Sequence, residues 1–257
     1  MTTLIGVVHV PALPGAPRNV LSLDDCIRHA VADAEALRDG GADAVIVENF
    51  HDYPFRRDAV EAHVVAALTA VCLAIRASVA CELGVNVLRN DALSALGIAM
   101  ACGAAFIRVN VHTGAMLTDQ GIITGRADET MRLRRALGAD HVRVLADVLV
   151  KHAVPLGALR LADAVRDATD RGLADAIIVT GGATGMPATR EDVETACGAT
   201  TAPVYVGSGV TAGNVDAFVP PATGVIAGSW LKRDGLIGNP VDATRVRRLR
   251  QAIDRLA

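Results

Sequence analysis

Apolar positions in this chain follow two alternating rhythms. Short, nearly unbroken apolar runs end in a polar or small residue, and longer stretches with helical spacing separate them. The short runs fall into two sets. One is a repeat, GADAVIVE (41–48), GAAFIRVN (103–110), LADAIIVT (173–180) and, more loosely, ATGVIAGS (222–229). The other lies between them: LIGVVHV, SVACELGV, HVRVLADV and APVYVGS. Together they predict eight strands. Helical patterns follow them: LDDCIRHAVADAEALRDGG, RDAVEAHVVAALTAVCLAIRA, DALSALGIAMACG, DETMRLRRALG, RLADAVRDATDRG, TREDVETACG, TAGNVDAF and VDATRVRRLRQAIDRLA. Several end on glycine, as helix C-termini often do. Strand–helix alternation over this length predicts an α/β fold, a (β/α)8 barrel forming one domain over 1–257, with a doubly wound sheet as the alternative.

Alternation within the strands assigns their faces. In SVACELGVN, Val79, Cys81, Leu83 and Val85 form the helix-facing set, which leaves Glu82, Gly84 and Asn86 toward the barrel axis. The same reading turns Arg108 and Asn110 inward on the fourth strand, and Arg143 and Asp147 on the fifth. A charged interior must be paired, so Glu82 is expected to bond Arg108 or Arg143.

In this fold, chemistry sits at the C-terminal strand ends. Reading round them gives His9, then Glu48, Asn49 and Asp52, then Asn86, Asn90 and Asp91. Asn110, Asp147, Lys151, His152, the segment Thr180–Thr184, Gly207–Ser208 and Gly228–Ser229 complete the ring. Glycine turns after the seventh and eighth strands are the usual place for phosphate in such barrels, so Gly207, Ser208, Gly209, Gly228 and Ser229 are the candidate phosphate contacts. Asn86, Thr180 and Arg108 join them as substrate-binding candidates. Lys232 either adds charge there or is solvated.

Glu48, Asn110, Asp147, Lys151 and His152 are the catalytic candidates. An acid, an amide, a cation and an imidazole together can move protons, and a desolvated Lys151 could form a Schiff base. His9 is either an acid/base group or a core histidine, while His29 and His63 fall on helices as surface or packing residues. Glu48, Asp52 and Asp91 offer hard oxygen ligands suited to Mg²⁺, against a turn role for Asp52 and a helix cap for Asp91. No nicotinamide or flavin fingerprint is present. The loop HTGAMLTDQGIITGRAD reads as a mobile lid or a disordered surface loop, and the prolines of HVPALPGAPR stiffen the first loop.

Composition narrows the partners. The net charge is −3, with one Trp, two Tyr and four Phe, which offers neither a basic face nor a stacking platform for nucleic acid. The five cysteines, Cys26, Cys72, Cys81, Cys102 and Cys197, lack C-x-x-C spacing, as expected of buried thiols in a reducing compartment. The start MTTLIGVVHV has no basic leader pattern, and HVVAALTAVCLAI is shorter than the roughly 20 residues a membrane span needs. A cytoplasmic protein without membrane insertion is expected. The second helix is more apolar than one buried face requires, so a homo-oligomer is expected as well.

The stretches GVVHVPALPGAP, GADAVIVENFHDYPF, GVNVLRNDALSALGIA, GAAFIRVNVHTGA, TDQGIITGRA, ADVLVKHA, VTGGATGMP, PVYVGSGVT and AGSWLKRDGLIGNPVD run through nearly the whole chain in order. Together they resemble the BtpA family, which includes the SgcQ-like proteins. HVPALPG and VTGGATGMP vary at flanking positions without losing polar residues. The resemblance implies a TIM-like barrel. It also implies an association with photosystem I accumulation for cyanobacterial members, and with sugar-utilisation gene groups for SgcQ-type members. The residues themselves point to an enzyme acting on a small phosphorylated metabolite, a sugar phosphate or a phosphoribosyl or nucleotide-type compound, with glycosyl transfer or cleavage ahead of isomerisation or aldol chemistry. The alternative is a non-enzymatic assembly or stability factor, or a sensor of a phosphorylated ligand.

Overall fold

The structure is a computed structural model that describes residues 2–150, 152–180 and 188–256. Its strands are β1 (Thr3–His9), β2 (Ala44–Glu48), β3 (Glu82–Asn86), β4 (Phe106–Val109), β5 (Ala115–Thr118), β6 (Gly121–Thr124), β7 (Arg143–Val148), β8 (Ala153–Pro155), β9 (Ala176–Val179), β10 (Val204–Val206) and β11 (Gly224–Ala227). Eight of them close into a parallel barrel in the order β1-β11-β10-β9-β7-β4-β3-β2. The (β/α)8 reading of the apolar pattern therefore holds.

Local chemistry starts and stops the outer helices. Helix α1 (Leu23–Asp39) begins where the Ser22 side chain accepts the Asp25 N–H, and α2 (Ala62–Ser78) follows β2. Helix α3 (Ala92–Cys102) is capped by Asp91 and ends at Gly103, whose φ of 67° is left-handed. Helix α4 (Ala127–Ala136) precedes β7, and α5 (Leu161–Arg166) runs into one π turn at Asp167–Arg171. A capping box of Thr189 and Asp192 opens α6 (Arg190–Ala199), and Asp242 caps α7 (Ala243–Asp254).

One predicted helix is missing. TAGNVDAF forms only a 3-10 turn at Val215–Ala217. The Asn214 side chain accepts from Thr211 N–H at 2.8 Å and donates to the Gly209 carbonyl at 3.0 Å, holding a compact turn in place of a helix start.

Two apolar cores result. One lies between strands and helices and contains the buried Cys26, Cys72 and Cys102. The other fills the barrel axis: Ile5, Val7, Ala44, Ile46, Phe106, Leu145, Ala176, Ile178, Tyr205 and Ile226. Gly84 makes room for the Phe106 ring, since a Cβ there would lie 2.1 Å from its Cε2. Gly84→Ala is expected to cost about 1–3 kcal/mol by overpacking, measured by urea unfolding; an unchanged midpoint would show that the ring moves freely.

Glu82 does pair with Arg143, but at the open lower rim and not in the interior; the Glu82 side chain is 56% exposed. The loop read as a mobile lid or a disordered surface loop folds as a hairpin. Strands β5 and β6 pair antiparallel, and β8 adds to β5, making a three-stranded sheet with Met116 and Ile123 buried beneath it. No helix among the described residues is long and apolar enough to cross a membrane.

Candidate active site

Barrel register places three of the predicted residues in one row: His9 pairs with Glu48, and Glu48 with Asn86. Below and beside them lies Arg108. Its Nη1 donates to Glu48 Oε1 at 3.0 Å, its Nη2 to Asp147 Oδ2 at 3.1 Å, and its Nε to both Asp147 oxygens at 3.2 Å. Asn86 Nδ2 donates to Glu48 Oε1 at 3.1 Å, and Asn110 Nδ2 to Asp147 Oδ2 at 2.6 Å. Burial works against the charge of Arg108, but Asp147 and Glu48 outweigh it and hold its pKa above the usual value. Burial raises the Asp147 pKa, with Arg108 and Asn110 opposing.

Above this floor opens a cavity of about 800 Å³ at the C-terminal barrel face. Glu48, Asn86, Arg108, Asn110 and Thr180 line its base, His9 one side, and His152 its outer edge. Asp147 does not line it; its side chain is wholly buried. Its inward position lies below the last polar row, where it accepts from Arg108 and Asn110. Lys151 and the segment 181–187 lie outside the described residues.

The glycine turns face the same cavity: Gly207, Ser208 and Gly209 after β10, and Gly228 and Ser229 after β11. Among the described residues the backbone N–H groups of Ser208, Gly209, Ser229 and Trp230 meet no hydrogen-bond acceptor. A Cβ on Gly228 would lie 2.7 Å from His9 Cε1, so glycine lets the turn close on the imidazole. After β11 the chain makes a 3-10 turn at Ser229–Leu231.

Two of the three carboxylates considered for Mg²⁺, Asp52 and Asp91, are engaged in holding loops. Asp52 accepts the Leu13 N–H at 2.8 Å and Asn49 Nδ2 at 3.1 Å, pinning the loop after β2 to the loop after β1. Asp91 accepts the Val60 and Ser94 N–H groups at 2.9 and 3.0 Å. Among the described residues no group of three or more His, Cys, Asp or Glu side chains is placed to hold a metal ion. Asn49 and Asn90 are fasteners too: each side chain holds a neighbouring loop backbone, Leu88 and Val111 respectively. The Lys232 side chain is not solvated; it is 2% exposed, paired with Asp33, and does not line the main cavity.

Some wall residues escaped the sequence reading. Arg89, buried, lines the cavity, and burial lowers its pKa, with Arg108 adding to the effect. Phe50, Tyr53, Phe55 and Trp230 form an aromatic side, with Phe50 and Tyr53 edge-on at 5.5 Å and Tyr53 and Phe55 at 4.8 Å. These four are more than half of the chain's aromatic residues. Their clustering at strand ends was the signal that could have found them.

A family model of BtpA proteins matches residues 1–255. The chain belongs to the BtpA family. It is similar to the photosystem I biogenesis protein BtpA of Synechocystis, with 50% identity over 95% of this chain and 85% of the relative. Two solved structures share the barrel. A thiamine phosphate pyrophosphorylase of Pyrococcus furiosus superposes with a TM-score of 0.60 at 12% identity, covering 99% of this chain and 96% of that one. An N-(5'-phosphoribosyl)anthranilate isomerase of the same organism gives 0.60 at 12% identity, covering 99% and 100%. Both likenesses are of fold.

Proposed function

We propose that this BtpA-family chain is an enzyme acting on a small phosphorylated metabolite of the phosphoribosyl or nucleotide type. The observation that carries the reading is the pair of turns at the ends of β10 and β11, whose Ser208, Gly209, Ser229 and Trp230 amides meet no acceptor among the described residues, beside a cavity based on Arg108. Aligned N–H donors and a guanidinium are what a phosphate monoester needs. The aromatic side formed by Phe50, Tyr53, Phe55 and Trp230 suits a planar group beyond the sugar, which favours nucleotide-type compounds over a bare sugar phosphate. That the two superposed enzymes are named for phosphate-bearing compounds agrees with this reading.

Glu48 is the carboxylate that reaches the cavity base, held by Arg108 and Asn86. In the proposal it faces the reacting carbon, where it stabilises an oxocarbenium-like centre or takes a proton, consistent with glycosyl transfer or cleavage. Asn110 Oδ1 is buried without a partner among the described residues and in the proposal accepts a substrate hydroxyl.

Thermal unfolding against phosphorylated sugars, nucleotides and their unphosphorylated forms, with and without Mg²⁺, tests the proposal. A true ligand at 100 times its Kd stabilises by about 2.7 kcal/mol. Ser208→Asp is expected to abolish the shift by placing a carboxylate at the phosphate turn; a shift that survives unchanged would move the phosphate elsewhere.

An assembly role is the second reading. The Synechocystis relative's name supports it, as does an exposed apolar row across the small sheet, Ile122, Leu117 and Val154, aligned by strand register. Absence of any ligand shift from folded protein would favour it.

A further inference from the structure

A second, smaller chamber of about 360 Å³ adjoins the main cavity, and His9, Tyr53 and Ile237 line both. Arg18, His29 and His51 stand on its other walls, and Asp33 is its single carboxylate among the described residues. At its inner end is the buried Lys232 ammonium, bonded to Asp33 Oδ2; Asp33 Oδ1 accepts the Val241 N–H at 2.7 Å.

The acidic partner is thus spent while the basic one is not. An ammonium carries three N–H donors, and among the described residues Asp33 is the one acceptor that Lys232 Nζ meets. His9, more than nine-tenths buried, also has Nδ1 without a partner among the described residues. A buried polar atom left unmatched costs stability, so His9 Nδ1, beside an ammonium with donors to spare on the walls of one chamber, requires an explanation. A structural ion pair alone does not supply it, because well-packed apolar residues could replace such a pair at little cost. Arg18 and Lys232 face one carboxylate, Asp33, across the chamber, and burial and the Lys232 charge both hold His9 and His51 toward their neutral forms. A ligand that brings oxygen acceptors and negative charge satisfies all of these groups together.

We propose that this chamber is a second oxyanion subsite, receiving a carboxylate or a second phosphate of the same substrate across His9 from the phosphate turns. The proposal rests on the reading of the main cavity as a phosphate site. It narrows the substrate to a doubly anionic compound.

The test measures affinities of the full chain for ribose 5-phosphate, ribose 1,5-bisphosphate and 6-phosphogluconate. Wild type is expected to bind one of the doubly anionic probes at least 10-fold more tightly than ribose 5-phosphate; the bisphosphate names a phosphate occupant, and 6-phosphogluconate a carboxylate. Lys232→Met combined with Asp33→Asn is expected to erase that advantage and leave ribose 5-phosphate affinity within about 2-fold. His51→Ala and Arg18→Ala, at less buried positions, are expected to reduce it should the paired variant fail to fold. Equal affinity for all three probes in wild type overturns the proposal. Inorganic phosphate separates the two readings. If it still stabilises Ser208→Asp protein, and that effect goes when the chamber variants are added, the subsite stands whatever becomes of the main site. If Ser208→Asp removes every phosphate response, the main site stands and the subsite falls.

Discussion

Asp147→Ala is expected to destabilise the fold by about 3–5 kcal/mol, the usual cost of stripping one partner from a buried ion pair. Asp147 accepts from Arg108 Nε and Nη2 and from Asn110 Nδ2, and its side chain has no solvent access. Its removal leaves a buried guanidinium with Glu48 as its remaining carboxylate. It also strips the Asn110 side chain of the one bond it makes among the described residues, where Asn110 Oδ1 has no partner. Asp147→Asn keeps the shape and an acceptor, so a smaller loss is expected. Any effect of that variant on turnover should act through the position of Arg108 and Asn110 and not through contact with substrate. Chemical denaturation measures the first claim; a loss below about 1 kcal/mol for Asp147→Ala would mean that water reaches Arg108 and the floor is looser than its geometry. Loss of Glu48 orientation would accompany a real collapse, because the Arg108 Nη1 bond is one of its two side-chain holds.

That pairing shows where sequence reasoning stops. The strands were legible because parallel strands packed on both faces read as apolar runs, and the repeat fixed their number. The inward positions of Arg108, Asn110 and Asp147 followed from alternation. Which charge meets which did not, since Glu48 and Arg108 lie 60 residues apart and meet only through barrel register. Strand stagger also sets height: Glu48 shares a row with His9 and Asn86, whereas Asp147 pairs with Ile178, one inward step below Thr180. Equivalent strand ends are therefore not equivalent depths. Lys232 misled for the same reason, because its partner Asp33 is 199 residues distant. The hairpin over the mouth carried a readable signal that its glycines obscured: Met116 and Ile123 alternate with exposed Leu117 and Ile122, a two-residue period typical of a one-sided sheet.

His9→Gln is expected to flatten the acid limb of the stability profile. In the unfolded chain this imidazole titrates near 6.5, but in the fold burial, then the charges of Lys232, His51 and Arg108, push its pKa down to about 3. A depressed folded pKa contributes stability above pH 6.5 that drains away as pH falls toward 3, because the unfolded chain takes up the proton first. At about 1.4 kcal/mol per pKa unit, the full effect is on the order of 4–5 kcal/mol, of which about 3 lies between pH 7 and pH 4. Urea unfolding at those two values should show the wild-type difference shrinking by roughly that amount in His9→Gln. His51, depressed in the same direction and less buried, should contribute a smaller share through His51→Gln. Asp147 cannot be the source of this acid lability. Its pKa is raised, so its contribution runs with the opposite sign, favouring the fold at low pH and fading as pH rises through its folded value. Equal acid slopes in wild type and His9→Gln would therefore mean that His9 is protonated in the fold, and that the unpartnered Nδ1 beside Lys232 already has an anion or water to bond.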